Sequence, residues 1–224
     1  GKDNSSSDQA VNLSGNTPDF FKLNPSCFTE YKSNPLIDNG DLFSGANWND
    51  PHVIKLGSQY IMYASASQNF DFNIKIYRLV STDGIEWTLN PQKAVFEKSS
   101  DLDDWDSKSV ETPAVTYFNG QYYLFYTGYN TDYTDVAAYK IGYATSADGI
   151  VWTRQPNPLV VPTDPYGPPN LDFNQFIVGE PAPVVVDGIL HLYFTAVGAN
   201  IGVQTTLQTI GLITSTDGLT WTAP

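Results

Sequence analysis

Carboxyl side chains stand beside prolines at matched places along this chain. When the sequence is aligned on the runs that start at Gln59, Gln121 and Ile189, eight residues back from each lies a proline: Pro51, Pro113 and Pro181. The residues just before them are Asp50, Thr112 and Glu180, with Glu111 immediately ahead of Thr112. Proline suits the first position of a strand, where no ladder donor is needed, so the prolines have an architectural explanation. The carboxyls are harder to account for, because like charges gathered on one rim repel. A pair of carboxyl groups flanking one bond, one protonated as acid and one ionised as base or nucleophile, is the machinery of glycoside hydrolysis. Bringing three together also raises the pKa of at least one, as an acid requires. An acidic chain places some carboxylates beside prolines without any role, and it is the shared register that favours chemistry.

The elements that must carry these residues follow from a repeat. Ser81-Thr82-Asp83-Gly84-Ile85-Glu86-Trp87-Thr88 returns as Ser146-Ala147-Asp148-Gly149-Ile150-Val151-Trp152-Thr153 and as Ser215-Thr216-Asp217-Gly218-Leu219-Thr220-Trp221-Thr222. The aspartates are 65 and then 69 residues apart, too long a period for a solenoid rung, so the unit is a small sheet. In each copy Asp-Gly lies between an alternating apolar run and a Trp-Thr, which predicts two strands joined by a tight turn with positive φ at Gly. Four short strands precede or include each copy. In the first they run from Trp48 to Trp87, in the second from Val110 to Thr153, and in the third from Gly179 to Thr222. One such meander cannot bury either of its faces, so the units must stack. Radial stacking gives an all-β propeller of four-stranded antiparallel blades with the first strand of each blade at the axis. A two-sheet sandwich is the alternative, but it does not require one four-strand pattern three times. Trp87, Trp152 and Trp221 recur at one place in every blade and read as inter-blade packing, whereas Trp48 and Trp105 lie near strand ends where a flat ring could stack on a sugar.

Composition narrows the partners. The chain of 224 residues has 24 acidic and 11 basic side chains, a net charge of −13, which repels phosphate backbones and anionic membrane surfaces. Nucleic acid is therefore excluded as an expected partner, while a neutral carbohydrate feels little of that repulsion. No apolar run reaches the roughly 20 residues of a membrane-spanning helix. The two histidines, His52 and His191, are too few and too far apart for a metal cluster, and no phosphate loop, Ser-His-Asp order or Cys-x-x-Cys is present, so neither metal nor cofactor is expected. Cys27 is the single cysteine. Residues 1–20, rich in Ser, Asn and Asp, read as a flexible leader, and the lack of an initiator Met reads as a removed export signal, hence a periplasmic, surface-anchored or extracellular protein. Residues 21–224 form the propeller domain. Asn34-Pro35-Leu36-Ile37 is echoed by Asn157-Pro158-Leu159-Val160, which suggests a connecting segment between repeats.

Trp48-Asn49-Asp50-Pro51, followed by Gly57-Ser58-Gln59-Tyr60-Ile61-Met62-Tyr63, resembles the first blade of the five-bladed propeller glycosidases of glycoside hydrolase families 43 and 32. The Ser-x-Asp-Gly-x-x-Trp that closes each blade is similar to many of them as well, and the resemblance covers about residues 48–224. It implies five blades where three are countable, with closure by further C-terminal blades or by a partner chain such as a second copy. It implies Asp50 as general base or nucleophile and Glu180 as general acid, with Trp48, Asn49 and Trp105 near the substrate. In the second blade the family places Asp before Pro, whereas here Glu111 is offset by one residue, a shift that reverses side-chain direction in a regular strand. Glu111 is the expected third carboxyl, and Asp106 the fallback. Gly57 to Ser65 is closer to the family 43 pattern, which favours inversion. A non-catalytic carbohydrate-binding propeller and a protein-interaction scaffold are the alternative readings.

Overall fold

A computed structural model of the chain describes residues 31–38, 40–131, 139–200 and 205–224. The chain divides into two units, Gly1–Asn34 and Pro35–Pro224, and the strands among the described residues lie in the second. The expected leader, 1–20, and Cys27 fall outside the described residues.

Three antiparallel sheets follow one another in sequence. The first runs β1 (Ala46–Leu56), β2 (Gln59–Gln68), β3 (Lys75–Ser81) and β4 (Thr88–Leu89). The second runs β5 (Ser109–Phe118), β6 (Gln121–Tyr129), β7 (Lys140–Ser146) and β8 (Thr153–Arg154), and the third β9 (Ile177–Val186), β10 (Ile189–Asn200) and β11 (Thr205–Ser215). Each is an up-and-down meander, and together they form successive blades of a propeller with β1, β5 and β9 innermost. The expected fourth strand of the third blade is the exception. Only a backbone bond from Thr222 N to the Thr214 carbonyl (3.0 Å) and one from Thr214 N to Thr222 Oγ1 (2.9 Å) occupy its place. No helix among the described residues is long and apolar enough to cross a membrane.

Local chemistry explains the turns. Asn119-Gly120 and Asp187-Gly188 both have positive φ at the two central residues and close two-residue hairpins, with Phe118 opposite Gln121 and Val186 opposite Ile189. The repeated Ser-x-Asp-Gly segment is longer than the tight turn expected of it. In the first blade it spans residues 82–87 between β3 and β4, and the Asp83 carboxylate closes it by accepting the Ile85 and Glu86 amides at 2.8 and 2.9 Å, while Ser81 Oγ accepts the Gly84 amide at 2.8 Å. The same bonds recur around Asp148 and Asp217. Those donors stabilise the ionised form, and the Thr220 and Leu219 amides hold the Asp217 carboxyl down at about 2. Positive φ at Gly84, Gly149 and Gly218 matches the sequence expectation.

Of the buried clusters among the described residues, that of Ala64, Leu79, Trp87 and Leu89 lies within the first blade, and the two larger ones span neighbouring blades. Ile61, Tyr63 and Ile76 of the first pack with Val115, Leu124 and Ala144 of the second. Phe125, Ile141 and Tyr143 of the second pack with Leu190, Phe194 and Ile213 of the third. The segments between blades return to pin the sheet just left: Phe96 bridges to Ile76, and Val160, in the echoed Asn-Pro-Leu-Val, bridges to Ile141. Polar bonds fix the angle between blades. Tyr63 Oη donates to the Gly149 carbonyl at 2.8 Å, and the Val115 amide donates to His52 Nδ1 at 3.3 Å.

Candidate active site

The ladder of every first strand breaks at the same place. Register shifts fall between Asn49 and His52, between Glu111 and Ala114, and between Gly179 and Ala182, opposite Thr195 and Tyr193. At the centre of each break a non-glycine residue takes positive φ: Asp50 (51°), Thr112 (52°) and Glu180 (53°). Positive φ is uncommon away from glycine, and a following proline disfavours it further, so each bulge holds strain on the order of 1–3 kcal/mol. Bulges of this kind re-aim side chains. Here they turn three equivalent residues toward one opening.

That opening is a cavity of about 310 Å³ lined by Asp50, Pro51 and His52 from β1, by Thr112, Pro113 and Ala114 from β5, and by Glu180, Pro181, Ala182 and Pro183 from β9. A second cavity of about 200 Å³ shares Thr112 and Glu180 with it and adds Glu111, Thr127, Tyr139 and Thr195 among its walls. Glu111 thus lies beside Glu180 despite the one-residue offset, because the bulge at Thr112 interrupts the alternation that would have turned it away.

Burial raises the Glu111 carboxyl to about 7, and the charges of Asp50 and then Glu180 push in the same direction. Asp50 is also raised, first by burial. Bonds from the Ser65 side chain and the Thr112 amide oppose that rise, and the Glu180 charge adds to it. Asn49 Nδ2 donates to Asp50 Oδ2 at 2.9 Å. Burial lowers the His52 pKa, and with Nδ1 accepting an amide its ring is neutral with the proton on Nε2. At neutral pH the site therefore holds carboxyl groups of differing readiness to ionise, the condition that acid and base roles require.

The other candidates sit elsewhere. Trp48 lies in a cluster with Phe43 and Tyr77, with both centroids 5.4 Å away, and its Nε1 donates to the Asp41 carbonyl; it lines neither cavity. Trp105 is buried and stacks on Tyr126 at 5.6 Å, against Gly128 and Gly142, where any Cβ would collide with its ring. It wedges the second blade and has no face free for a sugar. Asp106 is fully buried, accepts from Tyr126 Oη at 2.8 Å and pairs with Arg154, a structural role. Trp87, Trp152 and Trp221 pack within or between blades. Among the described residues no group of three or more His, Cys, Asp or Glu is placed to hold a metal ion.

The sequence reading did not pick out Ser65, Thr127 and Thr195, which sit at one position on the second strands. A signal was available: each lies six residues beyond the Gln59, Gln121 and Ile189 used for alignment.

No protein-family model matches this chain, nor does any curated protein. Solved structures do. A family 117 glycoside hydrolase of the marine bacterium Zobellia galactanivorans superposes with a TM-score of 0.66 at 21% identity, over 82% of this chain and 56% of that one. A thermostable family 43 glycoside hydrolase gives 0.54 at 17% identity over 80% and 52%. A glycosyl hydrolase from Bacteroides ovatus gives 0.54 at 15% identity over 78% and 48%. The fold is thus that of the propeller glycosidases, and this chain spans about half the length of the enzymes it resembles.

Proposed function

We propose that this chain carries the three-blade catalytic face of a glycoside hydrolase acting on neutral sugar linkages of an oligosaccharide or polysaccharide. The observation that carries this reading is the trio of positive-φ bulges, which spend backbone strain to bring Asp50 and Glu180 to one cavity with Glu111 beside them. Strain retained at equivalent positions is characteristic of sites where geometry matters more than stability. Asp50 is the base that activates water and Glu180 the acid that protonates the leaving oxygen. Inversion follows if their carboxyls stand roughly 6.5–9.5 Å apart, and retention if roughly 5–5.5 Å. Proton NMR of the first-formed anomer separates the two.

A second assignment has a specific observation behind it. Glu111 is the carboxyl whose burial keeps it protonated up to about 7, so it is a ready proton donor, with Glu180 orienting it. Leaving-group dependence decides between the two. The true acid is the residue whose Gln variant loses activity on poor leaving groups but keeps most of it on a dinitrophenyl glycoside, which needs no proton. Should Glu180→Gln and Glu111→Gln both leave hydrolysis at the parent level, neither is the acid. If the chain binds oligosaccharide but turns none over, and Glu180→Gln leaves affinity intact, the carbohydrate-binding reading replaces the hydrolase.

A further inference from the structure

The second strand of every blade carries a hydroxyl opposite the residue that precedes the bulge: Ser65 faces Asn49, Thr127 faces Glu111 and Thr195 faces Gly179. Ser65 and Thr127 stand between two neighbours, and Thr195 has the first of them. On one side is the bulge side chain of its own blade. Thr127 Oγ1 lies 2.6 Å from Thr112 Oγ1 and Thr195 Oγ1 donates to Glu180 Oε2 at 2.7 Å; Ser65, at the matching place opposite Asn49, is near enough to the Asp50 carboxyl to oppose the rise of its pKa. On the other side is the bulge amide of the following blade. The Thr112 amide donates to Ser65 Oγ at 3.0 Å and the Glu180 amide to Thr127 Oγ1 at 3.0 Å.

Followed in order, these bonds make one path across three blades. It runs from Ser65, beside the Asp50 carboxyl, to the Thr112 amide, from the Thr112 hydroxyl to Thr127, to the Glu180 amide, and from the Glu180 carboxylate to Thr195. A hydroxyl has one proton to give and two lone pairs. Ser65 accepts the Thr112 amide on a lone pair and keeps its proton to offer the Asp50 carboxylate, which can only accept. A short hydroxyl side chain suits both demands at Ser65 and Thr127, and Thr195 holds the same position in the third blade.

We propose that Ser65, Thr127 and Thr195 are positioning residues that lock the Asp50 and Glu180 carboxyls to each other across the blade interfaces through this continuous hydrogen-bonded path. The proposal rests on the reading of Asp50 and Glu180 as the reacting pair, for which a fixed separation is the geometric requirement. Ser65 opposes the rise that burial and the Glu180 charge impose on Asp50, a carboxyl that also faces Glu111 on β5 and lies beside His52 of β1 in the cavity wall. Thr195 orients the Glu180 carboxyl without touching the sugar bond.

The test compares Ser65→Ala, Ser65→Thr and Thr195→Val with the parent. Carbon-13 NMR of the aspartate carboxyls, with Asp50 assigned by Asp50→Asn, reads the titration of Asp50 whether or not the chain turns over substrate. The Asp50 midpoint should move up in Ser65→Ala and return in Ser65→Thr. A midpoint that stays at the parent value in folded Ser65→Ala overturns the proposal. Kinetics on an aryl glycoside then adds the functional half: kcat falls 10- to 100-fold in Ser65→Ala and Thr195→Val with KM nearly unchanged, as expected for misplaced reacting groups. Because the Ser65→Ala change strands the Thr112 amide, urea unfolding of each variant corrects for lost fold. Thr195→Val leaves no described amide without its acceptor and guards against that loss. A parent that is inactive on every glycoside, with the NMR shift present, sinks the hydrolase reading alone. An active parent with unchanged kcat in Thr195→Val sinks the positioning of Glu180.

Discussion

A carboxyl that must bury itself beside two others bears on stability as well as on chemistry. Glu111 titrates from the ordinary 4.5 up to about 7 in the folded protein, so protonated Glu111 is compatible with the fold and ionised Glu111 opposes it. The sign follows: the favourable state is fully present below pH 4.5 and is lost as the pH rises through 7. Glu111→Gln removes the titration, and the variant should be more stable than the parent at pH 8 by up to about 3 kcal/mol while matching it near pH 4. Urea melts at the two pH values check this, and equal gains at both would mean that the effect is not ionisation. The same residue reports on the reaction. If Glu111 is the donor, the alkaline limb of kcat/KM lies near 7 and vanishes in Glu111→Gln; if it only biases its neighbours, the limb moves while activity persists.

Turns and bulges decide how well the elements could be foreseen. The three Asp-Gly repeats were legible because Gly at positive φ and an Asp that accepts backbone amides leave a compositional trace, and the proline register pointed to the first strands. The bulges were not legible. Positive φ before proline has no local signal in Asp, Thr or Glu, and at Thr112 and Glu180 the amide is held by a hydroxyl of the preceding blade, Ser65 or Thr127, a contact no local pattern foretells. For the same reason the offset of Glu111 looked like an inversion of its side chain. Trp105 was misread because its place depends on two distant glycines, Gly128 and Gly142, that clear room for an indole. Glycine position has consequences that can be measured. A Cβ on Gly218 would come within 2.1 Å of Tyr123 Oη, at a φ of +77°, whereas one on Gly57, at +58°, meets open space. Gly57→Ala should cost about 1 kcal/mol, the backbone term alone. Gly218→Ala should cost at least about 2 kcal/mol more than that by overpacking, read as the difference between urea midpoints. Equal costs would mean that the third blade does not press its turn onto Tyr123.

Across the whole molecule, each blade completes the one before it. Ile76, Ile141 and Ile210 each stand five residues before the repeat serine, and their exposures are 0%, 0% and 72%. Tyr63, Phe125 and Tyr193 repeat the contrast on the adjacent strand at 1%, 0% and 39%. Ile141→Ala should therefore cost about 2–5 kcal/mol and Ile210→Ala no more than about 0.5 kcal/mol. Similar losses would show that the stacking order is wrong. The same order is what brings residues 130 positions apart, Asp50 and Glu180, to one cavity, and the repeat carries the signal of that arrangement in its proline register. The places of Trp48 and Trp105 were not readable in this way, because Phe43 and Tyr77 around the one and Tyr126 against the other are contacts that the repeat does not fix. The most direct test of the central claim is hydrolysis of a panel of aryl arabinosides, xylosides, fructosides and galactosides by the parent chain and by Asp50→Asn. We predict release of the aryl alcohol from at least one of them by the parent, and a loss of at least about 100-fold in kcat in a folded Asp50→Asn variant. Turnover that is undiminished in Asp50→Asn, or absent from the parent on every member of the panel, would contradict the account.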